Sequence, residues 1–188
     1  APSGTTADQV TQELFIVKKE AKFKLLDKIL GQYHGSVLLF SRTKHNAGKI
    51  TRTIRDMGHS ATEMHSDKSL RQRRESLDGF KSGRFKVLVA TDVAARGLDV
   101  TGIELVVNYD LPEDVEYYVH RIGRTGRAGC KGHAISFATP DQRNDVKNIE
   151  RLIRKQLPVA KHPEINSEEF DPPQSRTQFN YRRKKLRY

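Results

Sequence analysis

Arg124 and Arg127 stand three residues apart in the stretch from Tyr118 to Gly129, Tyr-Val-His-Arg-Ile-Gly-Arg-Thr-Gly-Arg-Ala-Gly, framed by Gly123, Gly126 and Gly129. Arginine presents a planar fork of donors that matches phosphate, and small neighbours let a ligand approach the backbone, so this spacing suits a polyanion. A solvated basic turn has the same composition, and the stretch alone leaves both readings open. A second stretch with chemical content runs from Val87 to Asp99, where an apolar strand pattern leads into Thr91, Asp92, Arg96, Gly97 and Asp99. Such a strand end can form a ligand loop. The competing reading has Thr91 capping the next turn while Asp92, Arg96 and Asp99 pair at the surface.

The elements that must hold these residues follow from periodicity. Val115, Tyr118, Val119 and Ile122 have helical spacing and Gly123 supplies a stop, so Arg124 and Arg127 are expected to project from the loop beyond. Strands are expected over Val10–Val17, Ser36–Phe40, Ser60–Met64, Lys86–Ala90, Leu105–Tyr109 and His133–Ala138. Helices are expected between them. The first, from Lys18 to Leu30, points Phe23, Leu26 and Leu30 inward and ends at Gly31; the next carries Ala47, Ile50, Ile54 and Met57 and closes at Gly58. Ser69-Leu70-Arg71-Gln72 is a capping box opening a helix through Phe80, before a turn at Ser82-Gly83. Thr139-Pro140-Asp141-Gln142 opens a last helix with Val146, Ile149 and Ile153 inward, ended by Pro158. Alternating strands and helices imply an α/β fold, an open, mostly parallel sheet with helices on both faces, whose ligands gather outside the carboxyl ends of the strands.

Composition bounds the partners. The 188 residues suffice for one domain with a tail, and Lys+Arg 34 against Asp+Glu 23 gives a net charge of +11, which favours an acidic partner such as nucleic acid. Cys130 is the single cysteine, so no disulfide or cysteine-based zinc cluster forms within one chain, and the seven histidines lack metal-ligand spacing. No metal site is expected. The longest apolar runs are strand-sized, so no membrane association is expected, and a cytoplasmic location is inferred from missing signals. Residues 1–9 are expected to be a linker or chain end, 10–157 the folded domain, and 158–188 a flexible extension with acidic and then basic-aromatic blocks. Six positive charges fall between Arg176 and Tyr188, more than half of the excess, interleaved with Phe179, Tyr181 and Tyr188. Arg182, Arg183, Lys184 and Lys185 could track a nucleic-acid backbone while the aromatics stack on bases; an unstructured solubilising end is the alternative.

Taken together, the two opening stretches resemble known motifs. Val87–Asp99 is similar to motif V of the DEAD-box RNA helicases, and His120-Arg-Ile-Gly-Arg-Thr-Gly-Arg127 is similar to their motif VI. Val37–Lys44 resembles motif IV, His65-Ser66-Asp67 leads into a helix like the motif IVa region, and Asn108-Tyr109-Asp110-Leu111-Pro112 fits the segment before motif VI. The resemblance covers residues 10–157 and implies the C-terminal RecA-like domain of such an enzyme. It implies that Arg124 and Arg127 are arginine fingers reaching the ATP γ-phosphate from across an interdomain cleft, and that His120 couples the cleft to the other domain. Asp99 would accept a hydrogen bond from the ribose, with Gly97 allowing close approach. Thr43, Arg73 and Thr91 would touch RNA phosphates, and Thr43 has an independent reason, because it precedes a helix whose free N–H groups favour an anion.

One departure falls in motif IVa, where the family has Gln-x-x-Arg and this sequence has Leu70-Arg71-Gln72-Arg73; Gln72 is committed to the helix cap. Ser66 stands where glycine is common. The sequence has neither a Gly-x-x-x-x-Gly-Lys-Ser/Thr loop nor Asp-Glu-Ala-Asp, so Mg²⁺ and the β- and γ-phosphates would be held by an N-terminal RecA-like domain of the same protein. This chain alone is expected to bind ATP weakly, to hydrolyse none and to be monomeric. A DNA helicase of the same superfamily and a non-catalytic RNA-binding module driven by the basic tail are the alternatives.

Overall fold

The computed structural model describes residues 9–100, 102–126 and 131–173. Six strands form one sheet: β1 (Val10–Ile16), β2 (Val37–Phe40), β3 (Ala61–Met64), β4 (Val87–Ala90), β5 (Leu105–Asn108) and β6 (Gly132–Ala138). Their order is β1-β6-β5-β2-β4-β3 and every pairing is parallel, so the mostly parallel sheet expected from sequence is parallel throughout. The central strands are apolar on both faces because both are covered. Leu38, Leu88 and Val106 pack with α3 (Leu70–Lys81), α4 (Asp92–Ala95), α5 (Glu116–Ile122) and α6 (Arg143–Ile153), while Val37, Leu39 and Val89 pack with α1 (Lys22–Gln32) and α2 (Lys44–Asp56).

Local chemistry sets most helix boundaries. Ser69 and Gln72 form both bonds of the capping box at α3, and Thr43 caps α2 by accepting from Asn46 N–H at 3.1 Å. The last helix opens as expected at Thr139, through a 3₁₀ turn at Pro140–Gln142. Two ends differ from expectation. α1 runs through Gly31 to Gln32, and Phe23 is half-buried on its flank while Leu25, Leu26, Ile29 and Leu30 carry the buried face. α6 ends at Ile153, well before Pro158, because Arg154 adopts a left-handed conformation (φ 54°).

Packing also continues past Leu157. Leu14 N–H donates to Pro158 O at 2.8 Å, Ala160 N–H returns to Leu14 O at 2.8 Å and Glu168 N–H reaches Ile16 O at 2.8 Å, so residues 158–168 strap the outer edge of β1. Ile165 is buried beneath them. The boundary drawn at Leu157 therefore does not coincide with the end of the packed chain. At the opposite edge, β3 turns the carbonyls of Ala61 and Glu63 away from β4, and side chains cover both: Arg55 Nε donates to Ala61 O at 2.8 Å and Ser76 Oγ to Glu63 O at 3.2 Å. Among the described residues no helix is long and apolar enough to cross a membrane.

Candidate functional site

The carboxyl ends of β2, β4 and β5 lie side by side, and the loops leaving them converge. Ser41 N–H donates to Ala90 O at 3.0 Å, and Arg42 N–H to an Asp110 carboxylate oxygen at 3.0 Å. Over this end of the sheet α5 crosses α4, and the groove between them is a cleft of about 280 Å³ lined by Asp92, Arg96, Gly97, His120, Arg121 and Arg124 with Phe40 as its floor.

Arg121 is what fixes the cleft, and the motif readings did not single it out. Its side chain is 1% exposed and bidentate to Asp92, with Nε to Oδ1 and Nη2 to Oδ2 both at 2.7 Å. Nη1 donates to Asp110 O at 2.6 Å and to Asn108 Oδ1 at 3.2 Å, and the guanidinium lies 4.9 Å from the centre of the Phe40 ring. Asn108 is oriented in turn, its Nδ2 donating to Ser136 Oγ at 3.0 Å. Every donor face of a buried cation is thus met, as a buried charge requires. The one available sequence signal was position: Arg121 falls three residues after the buried Tyr118, on the inward face of α5.

Arg124 follows Gly123 at the end of α5, as expected, but it does not project freely. Its guanidinium spans the cleft, donating to Leu98 O and, at 3.1 Å, to Ala95 O. Arg96 lies over the Tyr117 ring at 5.7 Å and donates to its hydroxyl at 2.5 Å. The cleft wall therefore carries three guanidiniums around one half-buried carboxylate, with His120 exposed at its rim. Gly97 has φ +78° and nothing within 4 Å of where a Cβ would stand, so the wall is open at that point. Asp99 is exposed on the same loop but is not part of the lining. Gly126 (φ +70°) is required for another reason: a Cβ there would meet Val10 Cγ2 at 3.0 Å and two backbone atoms at 3.2 Å, so the turn after Arg124 packs directly on the sheet.

Thr91 is buried at the start of α4 and makes no side-chain cap, and Asp92 pairs with Arg121 rather than with Arg96 at the surface. Thr43 is exposed at the start of α2, and Arg73, half-buried in the first turn of α3, donates to Lys68 O at 3.1 Å. Lys44 bridges their two loops through Asp67 at 2.8 Å. Thr43, Arg73 and Thr91 thus all follow strand carboxyl ends, Thr43 and Thr91 at the starts of α2 and α4 and Arg73 in the first turn of α3. Arg127, Cys130, Arg182, Arg183, Lys184 and Lys185 lie outside the described residues.

Residues 21–129 match the helicase conserved C-terminal domain. The chain is 42% identical over 154 residues to the ATP-dependent rRNA helicase RRP3 of Vanderwaltozyma polyspora, covering 81% of this chain and 30% of that protein. It is 40% identical over 162 residues to the DEAD-box ATP-dependent RNA helicase CshA of Bacillus cereus, covering 86% of this chain and 31% of that protein. The chain thus spans about a third of the length of these relatives. The fold superposes on the E. coli DEAD-box protein SrmB, in a crystal structure with the regulator of ribonuclease activity RraA, with TM-score 0.82 and 30% identity over 88% of this chain and 98% of that one. It also superposes on the C-terminal domain of the DEAD-box protein Dbp5, with TM-score 0.74 and 34% identity over 81% of this chain and 91% of that one. By family match, sequence relatives and fold alike, the chain belongs to the helicase conserved C-terminal domain family as a C-terminal RecA-like domain of the DEAD-box kind.

Proposed function

We propose that this chain is the half of an ATP-dependent RNA helicase that completes the nucleotide site of a preceding RecA-like domain and grips the RNA backbone. The observation that carries the reading is the cleft between α4 and α5, whose lining brings together the Arg121–Asp92 pair, Arg96, His120, Arg124 and the open backbone at Gly97.

The residues fit part of ATP and not its metal. The guanidiniums of Arg96 and Arg124 suit a polyphosphate, whereas the described residues contain no group of three or more His, Cys, Asp or Glu that could hold an ion. Mg²⁺ would therefore be held by the other domain. Arg124 and Arg127 would stabilise charge on the transferring phosphoryl group, Asp99 would orient the ribose and His120 would face the partner domain. Thr43, Arg73 and Thr91 would contact successive phosphates of one RNA strand, with Arg182, Arg183, Lys184 and Lys185 adding sequence-independent contacts. Backbone contacts of this kind give strong salt dependence and little base preference.

The test is ATP hydrolysis by the full-length protein with and without RNA, alongside Arg124→Ala. RNA-dependent turnover that falls by about 10³-fold or more in the variant is expected, the range known for arginine fingers. The isolated chain should hydrolyse no ATP. Turnover indifferent to Arg124, or RNA-stimulated hydrolysis by this chain alone, would refute the reading.

A further inference from the structure

The free edge of β3 borders a groove of about 230 Å³, to which α2 contributes Arg55, α3 contributes Ser76, and the loop between α3 and β4 contributes Arg84 and Phe85. The buried hydroxyls of Thr62 and Ser76 are satisfied within it, sharing a hydrogen bond at 2.7 Å while Ser76 Oγ donates on to Glu63 O at 3.2 Å. Its two carboxylates are engaged as well. Glu63 is held by Lys68 at 3.0 Å and His65 at 3.1 Å, and Glu75 by Arg71 at 3.1 Å. Arg55 and Arg84 differ, because both are exposed and neither has a carboxylate partner among the described residues. Arg55 engages only its Nε, on Ala61 O at 2.8 Å, which leaves both Nη groups without a protein acceptor there. Arg84 is held instead by the Phe85 ring, whose centre lies 5.0 Å from its guanidinium carbon. That ring is fixed in turn: Phe85 N–H donates to Gly79 O at 3.0 Å, and a Cβ at Gly79 would come within 2.5 Å of the ring. Two guanidinium forks on a rigid edge, with no carboxylate to answer them, suit phosphate oxygens.

The groove also leads away from a residue already assigned to RNA. Lys68, at the start of α3, lines it and accepts through its carbonyl from Arg73 Nε, while Arg84 follows the end of α3, about 18 Å along at roughly 1.5 Å per residue. We propose that this groove is an RNA-backbone site beyond the motif loops, where a strand that passes Arg73 continues along the β3 edge and sets a phosphodiester on Arg55 and Arg84. The inference rests on the function proposed above, because Arg73 supplies the starting point. An acidic segment of a partner protein carries the same charge, but continuity with Arg73 favours nucleic acid.

The experiment is single-stranded RNA binding by the full-length protein, followed by fluorescence anisotropy over a series of salt concentrations, with a short oligouridylate that spans only the motif loops and a longer one. For the longer RNA, the slope of log affinity against log salt should become shallower by ~0.7 in Arg84→Gln and by ~1.4 in Arg55→Gln/Arg84→Gln, one single-strand phosphate contact each. The slope for the short RNA should not change. Arg84 bonds to no carbonyl or carboxylate among the described residues, so its single variant keeps the test available if the double variant does not fold. Lys147→Gln makes the same change of charge on the exposed face of α6 and should leave both slopes as they are. Unchanged slopes in the arginine variants, an equal fall for the short RNA, or an equal fall in Lys147→Gln overturns the proposal. Poly-glutamate bound by wild type and lost by the double variant, with RNA slopes unchanged, would overturn it too and give the groove to an acidic protein segment. Failure of wild type to bind either RNA would overturn the functional reading itself.

Discussion

Replacing Arg121 with methionine would keep a long unbranched side chain but remove the guanidinium that lies over Phe40 and every donor it supplies. Four hydrogen bonds disappear, two of them to the Asp92 carboxylate, and Asn108 Oδ1 and Asp110 O lose their partner. Breaking a buried ion pair by deleting one member costs about 3–5 kcal/mol, because the remaining charge is stranded. Asp92 retains 18% exposure, which favours the lower half of that range, and the two deprived oxygens push it back up, so a loss of ~4 kcal/mol is expected. Against a typical total of about 5–15 kcal/mol this is a large fraction. With a urea slope of about 2 kcal/mol per molar, the unfolding midpoint of this chain should fall by ~2 M. Adding Asp92→Asn removes the stranded charge, and the double variant should recover ~1–2 kcal/mol. The reasoning fails if Arg121→Met lies within about 1 kcal/mol of wild type, or if the double variant is no more stable than the single.

Two further outcomes follow from the sheet edges and their surroundings. Ending the chain at Leu157 removes three backbone hydrogen bonds to β1 and uncovers the pocket filled by Ile165, which at ~1 kcal/mol per bond and ~2 kcal/mol for the side chain predicts a loss of ~5 kcal/mol in urea unfolding; a loss under about 1 kcal/mol would show that the strap is ornamental. At Glu63, burial pushes the carboxyl pKa up, but Lys68 at 3.0 Å and His65 at 3.1 Å outweigh it and hold the group below its ordinary 4.5. A carboxylate with a lowered folded-state pKa adds stability above 4.5 that is lost as pH falls through the folded value, so wild type should lose stability on acidification more steeply than Glu63→Gln, and equal slopes would contradict the assignment.

Features decided by neighbours in sequence were legible before any coordinates. The capping boxes at Ser69–Gln72 and Thr139–Gln142 need only a side chain and the backbone three residues away, and the central strands announced themselves as apolar runs because both faces of the sheet are covered. The cleft's location at the strand ends followed from alternation alone. What escaped was made by distant partners. Arg121 finds Asp92 across 29 positions and Asn108 finds Ser136 across 28, and neither pairing leaves a local signature. The basic stretch around Arg124 drew attention to the guanidiniums at the rim, while the buried one that holds them looked like one more charge. The strap over β1 was missed because its bonds are backbone bonds, which any sequence can make, and Ile165 is the one side chain of residues 158–168 that is fully buried. Arg154 ends α6 in a left-handed conformation that a glycine, and not an arginine, would have signalled.

The side chains covering the free edge of β3 have a kinetic meaning. A main-chain neighbour leaves a sheet edge only when several residues peel away together, but Arg55 and Ser76 each cover one carbonyl and can release it by a rotamer change. An incoming strand would have to displace both at once to gain a register of bonds, whereas a single side chain from a partner protein need displace only one. The edge therefore resists self-pairing into extended sheets while admitting point contacts.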